Sequence, residues 1–339
     1  MVTGATSGLG LVLVRRLTKL GAGTIIAVGR SKKKLDALTK ELREEAGPPK
    51  RKVIPIIADF SDLESVAQAA QSIKNQVKRI DYLVNNAGIH LTTDEIFGAE
   101  PINSVQGYEL TFGVNYLAHF LWTELLLPLL RKTKGEARIV QVSSSFHIMS
   151  SKVDLVAREN LSPYASRGDV NSISKRFRAY SYTKLAQIFH TRSLNRQFQE
   201  KDSLVRAIAV CPGWVSTNIG RGYVTKKILE LLAFPVDGYG LQTLMNAMFH
   251  PSPDVDYLVS NHLVGNSKLS MSRMLPDSKL ASDLYIRDGL SWALASTMIL
   301  VQKFVTDAFI PGASSPDSKD VDAQISLDNW SRVAVAEWI

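Results

Sequence analysis

Short apolar runs that favour β-strands alternate with longer segments of helical apolar spacing across the first two-thirds of the chain. This alternation is typical of a parallel sheet covered by helices, and it predicts an α/β fold with a three-layer, doubly wound, mostly parallel sheet. The predicted strands are 24–28, 53–58, 82–84, 138–142 and 206–210, and the predicted helices are 11–20, 35–45, 63–77, 107–130 and 179–199. In such sheets ligands bind at the carboxyl ends of the strands, where the strand order reverses.

The first strand of this pattern is almost missing. Only Met1 and Val2 precede the first glycine-rich turn. Because the missing strand would lie at the centre of the sheet, we expect a truncated gene model or a fragment. No signal peptide is recognised at the start of the sequence.

The composition is that of an ordinary globular protein, with 45% apolar and 21% charged residues among 339. The single cysteine, Cys211, excludes an intrachain disulfide, and the six scattered histidines leave no zinc-ligand spacing. The net charge of +8 favours an anionic partner or cofactor. Nucleic acid is not predicted, because the short basic clusters accompany no recognisable nucleic-acid-binding module.

The longest apolar segment, 290–310, is interrupted by Gln302, Lys303 and Asp307. Its uninterrupted part would rise only ~15 Å as a helix, which is about half of the ~30 Å bilayer core. Two interpretations stay open: a helix packed on the protein, and a helix in peripheral contact with a membrane surface. We therefore expect a cytoplasmic protein or one peripherally associated with an organelle membrane.

A glycine-rich turn that leads into an amphipathic helix is the first candidate site. Glycines let a backbone approach a pyrophosphate closely, and a helix N-terminus offers it free N–H groups. The candidate cofactor-binding residues of this turn are Thr3, Gly4, Ser7, Gly8, Leu9 and Gly10. The motif alone is weak, because glycine turns before helices are common.

Further candidate residues follow in order along the chain. They are Asn86, Ala87 and Gly88 after a predicted strand, Asn115 within a predicted helix, Ser144 after another strand, and Tyr180 and Lys184 on one helix. Asparagine is a poor helix former, so Asn115 is unusual where it stands. Tyr180 and Lys184 lie four residues apart, so their side chains can reach a common site. Each feature has an ordinary structural explanation, but their joint occurrence indicates one site.

With these TGxxxGxG, NNAG and YxxxK motifs, the chain resembles the short-chain dehydrogenase/reductase family, in its retinol-dehydrogenase-like and WW-domain-oxidoreductase-like branch. The resemblance covers about residues 1–250. It implies a Rossmann-type, NADP-binding catalytic domain over 1–289, with a small helical substrate lobe within about 216–250. Residues 290–339 would form a C-terminal extension of helix plus loop. A homodimer is also compatible with the family.

The resemblance implies roles for single residues. The implied catalytic residues are Asn115, Ser144, Tyr180 and Lys184. The implied cofactor contacts, beyond the first turn and the NNAG segment, are Asp59 beside the adenine ring, Tyr180, Lys184, and Pro212, Gly213, Val215 and Thr217 of a PGxVxT segment. The same resemblance suggests that Asn115 holds an ordered water through which Lys184 exchanges protons.

The chemistry of these side chains supports such roles. Reduction of a carbonyl leaves an alkoxide that must receive a proton, and a free tyrosine titrates near 10, too high to cycle easily at neutral pH. The neighbouring Lys184 ammonium would favour the phenolate of Tyr180 and lower its pKa. Ser144 can donate a hydrogen bond to the developing oxyanion.

The end of the second predicted strand bears on the cofactor. Enzymes that prefer NAD carry a carboxylate there for the ribose 2′-hydroxyl. This chain has Arg30 instead, followed by Ser31 and three lysines. The guanidinium offers a planar fork for a phosphate, so the sequence favours NADP(H). The alternative is a solvated basic helix start.

The substrate is less well defined. The apolar lobe and a long insert before Tyr180 suggest a small lipophilic carbonyl or alcohol substrate, such as a retinoid, steroid or fatty aldehyde. An apolar helix packed on the core is an equally good explanation of the lobe.

His147 is interpreted as a loop residue rather than a catalytic base. The alternative to an enzyme is a protein of a different functional class, a catalytically silent protein that binds a nucleotide and acts as a regulator or a redox sensor.

Overall fold

The computed structural model describes residues 1–45, 52–90, 103–150, 173–201, 204–213, 215, 240–249, 257–259 and 314–339. The strands within these ranges are β1 (Val2–Thr3), β2 (Thr24–Gly29), β3 (Lys52–Ile57), β4 (Tyr82–Asn85), β5 (Ala137–Val142), β6 (Val205–Cys211) and β7 (Tyr257–Val259). They form one parallel sheet in the order β3-β2-β1-β4-β5-β6-β7. The order reverses between β1 and β4, so the predicted ligand crevice lies at the carboxyl ends of these central strands.

Helices cover both faces of this sheet. They are α1 (Gly8–Lys19), α2 (Lys32–Glu45), α3 (Leu63–Gln76), α4, α5 (Ile173–Glu200), α6 (Leu241–Phe249) and α7 (Val321–Ala334). The helix α4 has three parts: Leu110–Phe112, a π-helical turn at Gly113–Leu117, and Ala118–Leu130. The buried apolar residues of α3, α4, α5 and α7 share one core, and those of α1, α2 and α6 share another. The three-layer Rossmann-type prediction is therefore confirmed.

The apolar spacing explains why these segments are helices. In α1, Leu9, Leu13 and Leu17 recur every four residues, and all three are buried against the sheet. In α3, the carboxylate of Asp62 accepts a hydrogen bond from the backbone N–H of Glu64, which caps the helix start.

Three elements were predicted only in part or not at all. The central strand β1 has only two residues, which pair with β2 on one side and β4 on the other. The edge strand β7 was not predicted. The end of the chain forms a 3₁₀ turn (Pro316–Lys319) and then α7, which buries Ala323 and Leu327 in the core beside α5.

Within the described ranges, no helix combines the length and apolarity that a membrane crossing requires. The apolar segment 290–310, proposed above for membrane contact, lies outside the described residues.

Candidate active site

The glycine-rich turn after β1 forms a tight backbone cradle. Gly4 has a φ of +66°, in the left-handed region that favours glycine. A Cβ on Gly10 would come within 2.4 Å of the Gly4 carbonyl oxygen and 2.5 Å of Asn86 Nδ2. These contacts leave no room for a side chain at position 10, so the start of α1 lies directly on the turn.

Hydrogen bonds join this turn to the end of β4. Thr3 Oγ1 accepts hydrogen bonds from the backbone N–H groups of Asn86 and Ala87, each at 2.9 Å. Asn86 Nδ2 donates in return to the Thr3 carbonyl at 2.8 Å. The predicted residues of the first turn and of the NNAG segment are therefore brought together at the strand-order reversal.

The start of α1 suits an anion. Ser7 at the N-cap makes no side-chain capping bond, and the first turn of the helix contains no acidic residue. The N–H groups at a helix start and its positive dipole end attract phosphate. A pyrophosphate could therefore sit against Gly8 and Leu9, as predicted for a dinucleotide.

The ends of β2 and β3 carry the other predicted cofactor residues. Arg30 is exposed directly after β2, and it makes no hydrogen bond or ion pair with another described residue. Lys32, Lys33 and Lys34 form the first turn of α2. Asp59 Oδ1 accepts hydrogen bonds from the backbone N–H of Ser61 at 2.9 Å and from its hydroxyl at 2.7 Å, which orders the turn after β3.

Asn115 lies in the π-helical turn of α4, where one extra residue per turn leaves backbone groups without their usual helical partners. Its side chain is fully buried and pairs with the backbone of Ile89 in both directions. Nδ2 donates to the Ile89 carbonyl at 2.9 Å, and Oδ1 accepts from the Ile89 N–H at 2.8 Å. Asn115 thus fixes the chain that leaves the NNAG segment.

Ser144 follows β5 and caps a short 3₁₀ turn, Ser145–Met149. Its hydroxyl accepts a hydrogen bond from the Phe146 N–H at 3.3 Å. The preceding serine, Ser143, is buried and donates to the Lys184 carbonyl at 2.8 Å. Ser144, the predicted site residue, is half-buried.

Tyr180 and Lys184 lie close together on α5, as their spacing predicted. The Lys184 Nζ is 5.3 Å from the centre of the Tyr180 ring. This ammonium is buried, and it donates to the Val142 carbonyl at 2.8 Å and to Gln187 Oε1 at 3.1 Å. Burial lowers the pKa of Lys184 from 10.5 to about 7, although the nearby Cys211 acts in the opposite direction.

Two aromatic rings lie near Tyr180. The His90 ring lies 4.8 Å from it and the Phe146 ring lies 6.1 Å from it, measured between ring centres. The second contact brings the turn that follows Ser144 next to the tyrosine. Tyr180 itself is half-buried.

Sequence reasoning missed Gln187. Its side-chain amide bridges two predicted residues, because Oε1 accepts from Lys184 Nζ and Nε2 donates to the Asn115 carbonyl at 2.9 Å. That carbonyl belongs to the π-helical turn of α4. The one signal in the sequence was the position of Gln187, three residues after Lys184 and hence on the same helix face.

The segment after β6 is described only in part. Pro212 is buried. Val215 lies against the start of α6, where a Cβ on Gly240 would come within 2.5 Å of Val215 Cγ1. Gly213 has a φ of +79°. Thr217 and the 216–239 part of the expected substrate lobe lie outside the described residues.

Comparisons with known proteins agree with this geometry. A family model described as short chain dehydrogenase matches residues 1–156. Retinol dehydrogenase 14 of Mus musculus is 34% identical over 319 residues, which cover 89% of this chain and 86% of that protein. The chain belongs to the short-chain dehydrogenase family. It is therefore an oxidoreductase by family, and the similarity to retinol dehydrogenases confirms the predicted branch.

Two further proteins extend the comparison. Polyprenol dehydrogenase of Homo sapiens is 28% identical to this short-chain dehydrogenase over 295 residues, 84% of this chain and 82% of that protein. The solved structure of an uncharacterised protein from Mycobacterium paratuberculosis has a TM-score of 0.63 at 24% identity, and the match covers 99% of this chain and 92% of that chain. At that identity the solved structure supports the fold alone.

Proposed function

We propose that this chain is an NADP(H)-dependent oxidoreductase that interconverts a carbonyl and an alcohol on a lipophilic substrate. The observation that carries the proposal is the buried Lys184 amine, 5.3 Å from the centre of the Tyr180 ring. The Ser144 turn and the glycine cradle lie at the same carboxyl edge of the sheet. NADPH, when bound in the cradle, supplies the hydride.

In this proposal Tyr180 exchanges the proton. Its hydroxyl gives a proton to the alkoxide during reduction and takes one from the alcohol during oxidation. The Lys184 cation beside the ring stabilises the phenolate form. Because the pKa of Lys184 is about 7, the amine can also lose and regain a proton near neutral pH, and it can pass that proton on.

Ser144 and Asn115 have different roles in this scheme. The Ser144 hydroxyl donates a hydrogen bond to the oxygen on which charge develops. Asn115 has its side chain engaged with Ile89, so its contribution is to hold the backbone of the site. The Asn115 carbonyl reaches Lys184 through the amide of Gln187, at the place where the sequence suggested an ordered water.

Charge at the end of β2 supports NADP(H) over NAD(H). Each cation in the first turn of a helix is unfavourable by about 0.3–1 kcal/mol, because it faces the positive end of the helix dipole. Three lysines stand in the first turn of α2, and Arg30 lies two residues before the helix. A 2′-phosphate between them would relieve this repulsion, whereas a 2′-hydroxyl would not.

The substrate class is proposed from the relatives and from the surroundings of Tyr180. The relatives are named for retinol and polyprenol, which are lipophilic alcohols. In this chain the ring centres of His90 and Phe146 lie 4.8 and 6.1 Å from that of Tyr180, so aromatic side chains border the reacting position.

Turnover of a carbonyl panel tests the activity. Purified protein should oxidise NADPH in the presence of retinal or a long-chain fatty aldehyde, and more slowly with glyceraldehyde. Tyr180→Phe should lower kcat at least 100-fold, the lower bound for the loss of a general acid. Tyr82→Phe is the matched control, because Tyr82 begins β4, at the edge of the sheet opposite to the proposed site, and its ring packs on Phe249. Binding of NADPH without turnover of any carbonyl would favour the catalytically silent alternative.

Equilibrium binding tests the cofactor. NADPH should bind at least tenfold more tightly than NADH, and Arg30→Ala should abolish most of that preference. Arg16→Ala removes an exposed arginine from the last turn of α1 and should leave the preference unchanged. Equal affinities of the wild-type protein for both cofactors would contradict the assignment.

A further inference from the structure

Residues 314–339, which we call the C-terminal brace, pack against the elements that carry the proposed catalytic residues. The brace contains the 3₁₀ turn Pro316–Lys319 and helix α7. Its contacts reach the turn after Ser144, the helix α5 and the helix α4. These contacts lie on the face of the sheet that α4 and α5 cover.

The contact nearest to the reacting groups is made by His147. Its Nδ1 lies 2.8 Å from the Ser144 carbonyl, which can only accept, so Nδ1 carries the proton. Its Nε2 accepts a hydrogen bond from the Ser315 backbone N–H at 3.1 Å. The ring is fully buried, and burial lowers the pKa of His147 to about 4, so the ring is neutral at physiological pH. One neutral imidazole thus links Ser144 to the brace.

The brace is also tied to the helix of Tyr180 and Lys184. Arg192 on α5 donates to Ser314 Oγ at 2.6 Å and to Ser318 Oγ at 2.9 Å. Both serines are buried. Ser314 and Ser318, which lie on either side of Ser315 in the chain, are therefore fixed to α5.

A third tie joins the brace to α4 next to Asn115. The Tyr116 hydroxyl, buried in the core, lies 2.8 Å from Ser331 Oγ. Further along α4, Glu124 accepts two hydrogen bonds from Arg332, at 3.0 and 3.1 Å. The brace consequently contacts all three elements that carry the proposed catalytic residues.

The Ser144 turn needs such support. It is a single 3₁₀ segment of five residues, and short 3₁₀ helices have poor hydrogen-bond geometry and little stability of their own. The hydroxyl that would meet the oxyanion must be held within about 0.5 Å of its working position. A buried imidazole with bonds on both sides supplies a fixed link from this turn to a packed helix.

We propose that the C-terminal brace is a positioning element for the reaction, and that the contact between His147 and the Ser315 N–H sets the place of the Ser144 hydroxyl. His147 acts through Ser144 and does not exchange a proton with substrate. This inference rests on the proposed function, since it assigns Ser144 to the oxyanion.

Ser315→Pro tests the contact by removing the N–H group that donates to His147 and by blocking the return of the imidazole ring. Ser315 has a φ of −54° and a ψ of 149°, which proline adopts without strain. Proline removes the N–H, and its ring would occupy the space in front of His147 Nε2. The Ser315 carbonyl, which accepts from Ser318, is retained. Ser315→Ala is the matched control, because it keeps the N–H and removes a buried hydroxyl that has no partner among the described residues.

We expect Ser315→Pro to lower kcat for carbonyl reduction at least tenfold, with the Kd for NADPH within twofold of the wild-type value. Ser315→Ala should retain wild-type kcat. A pair of histidine variants separates the two bonds of the ring. His147→Asn can still donate to Ser144 but is too short to reach Ser315, so it should lose activity. His147→Gln can still reach Ser315 and should retain more activity than the asparagine variant.

Two readouts distinguish the possible failures. If the wild-type protein turns over no carbonyl, the proposed function fails. Amide hydrogen exchange over residues 144–150 then judges the brace without any turnover, because Ser315→Pro should speed exchange there at least tenfold relative to Ser315→Ala. If the wild-type protein is active, equal kcat values for Ser315→Pro and Ser315→Ala overturn the inference. Should the proline variant fail to fold, equal kcat values for His147→Asn and His147→Gln overturn it instead.

Discussion

Gly10→Ala should damage both the stability of this dehydrogenase and its cofactor affinity. The new methyl group would lie 2.4 Å from the Gly4 carbonyl oxygen and 2.5 Å from Asn86 Nδ2. Neither neighbour can move freely. The carbonyl belongs to the main chain of the turn, and Asn86 Nδ2 is bonded to the Thr3 carbonyl at 2.8 Å.

The size of the effect follows from these contacts. Carbon atoms in proteins pack at about 3.5–4.0 Å, so α1 must move away from the turn by roughly 1 Å. Overpacking of this kind costs about 1–3 kcal/mol of unfolding free energy. If Asn86 rotates instead, its lost hydrogen bond adds about 0.5–1.5 kcal/mol. The displaced helix start is the proposed phosphate site, and a loss of 1.4 kcal/mol there weakens binding about tenfold.

Urea denaturation and NADPH titration by fluorescence measure the two effects separately. We expect Gly10→Ala to lose about 2 kcal/mol of stability and to bind NADPH at least tenfold more weakly. Gly23→Ala is the control, since a Cβ at that glycine meets nothing within 4 Å. If Gly10→Ala matched the wild-type protein in both assays, the claim that the turn leaves no room for a side chain at position 10 would be wrong.

Three further predictions concern buried charges and polar groups. Burial lowers the pKa of Lys184 to about 7, so the unfolded chain binds one more proton than the folded protein between about pH 7 and the ordinary lysine value near 10.4. As the pH rises through that range, the unfolding free energy of the wild-type protein should therefore rise relative to that of Lys184→Met by about 1.4 kcal/mol per pH unit. A difference that does not change with pH would show that the amine stays charged in the folded protein. Gln187→Leu removes the bridge to the buried amine and should lower kcat about tenfold. Gln187→Glu keeps an acceptor for the amine, and its carboxylate should raise the pKa of Lys184 and shift the pH profile of kcat to higher pH. Arg332→Ala leaves the carboxylate of Glu124 without its two hydrogen bonds and should lower the unfolding free energy, measured by urea denaturation, by about 2 kcal/mol. Lys32→Ala breaks an exposed ion pair and should lower it by less than about 0.5 kcal/mol. Similar losses for the two variants would contradict this prediction.

Local pattern was enough to predict the layers of the fold. The strands near 24–28, 138–142 and 206–210 were found within one or two residues, because buried parallel strands are short, continuous apolar runs. The proximity of Tyr180 and Lys184 also followed from sequence, since residues four apart share a helix face. The family resemblance then identified Ser144 and Asn115 as further candidates.

Tertiary structure alone decided how these residues are supported. The contact between His147 and Ser315 joins positions 168 residues apart, and the bridge from Gln187 to the Asn115 carbonyl spans 72. Neither leaves a periodic signal, because the partner is a backbone N–H group in one case and a backbone carbonyl in the other. Every non-proline residue carries such backbone groups, so the side chains near them do not reveal which one will be the partner. Apolar periodicity determines which segments become helices and strands, whereas the pairing of buried polar groups is determined only when those elements pack.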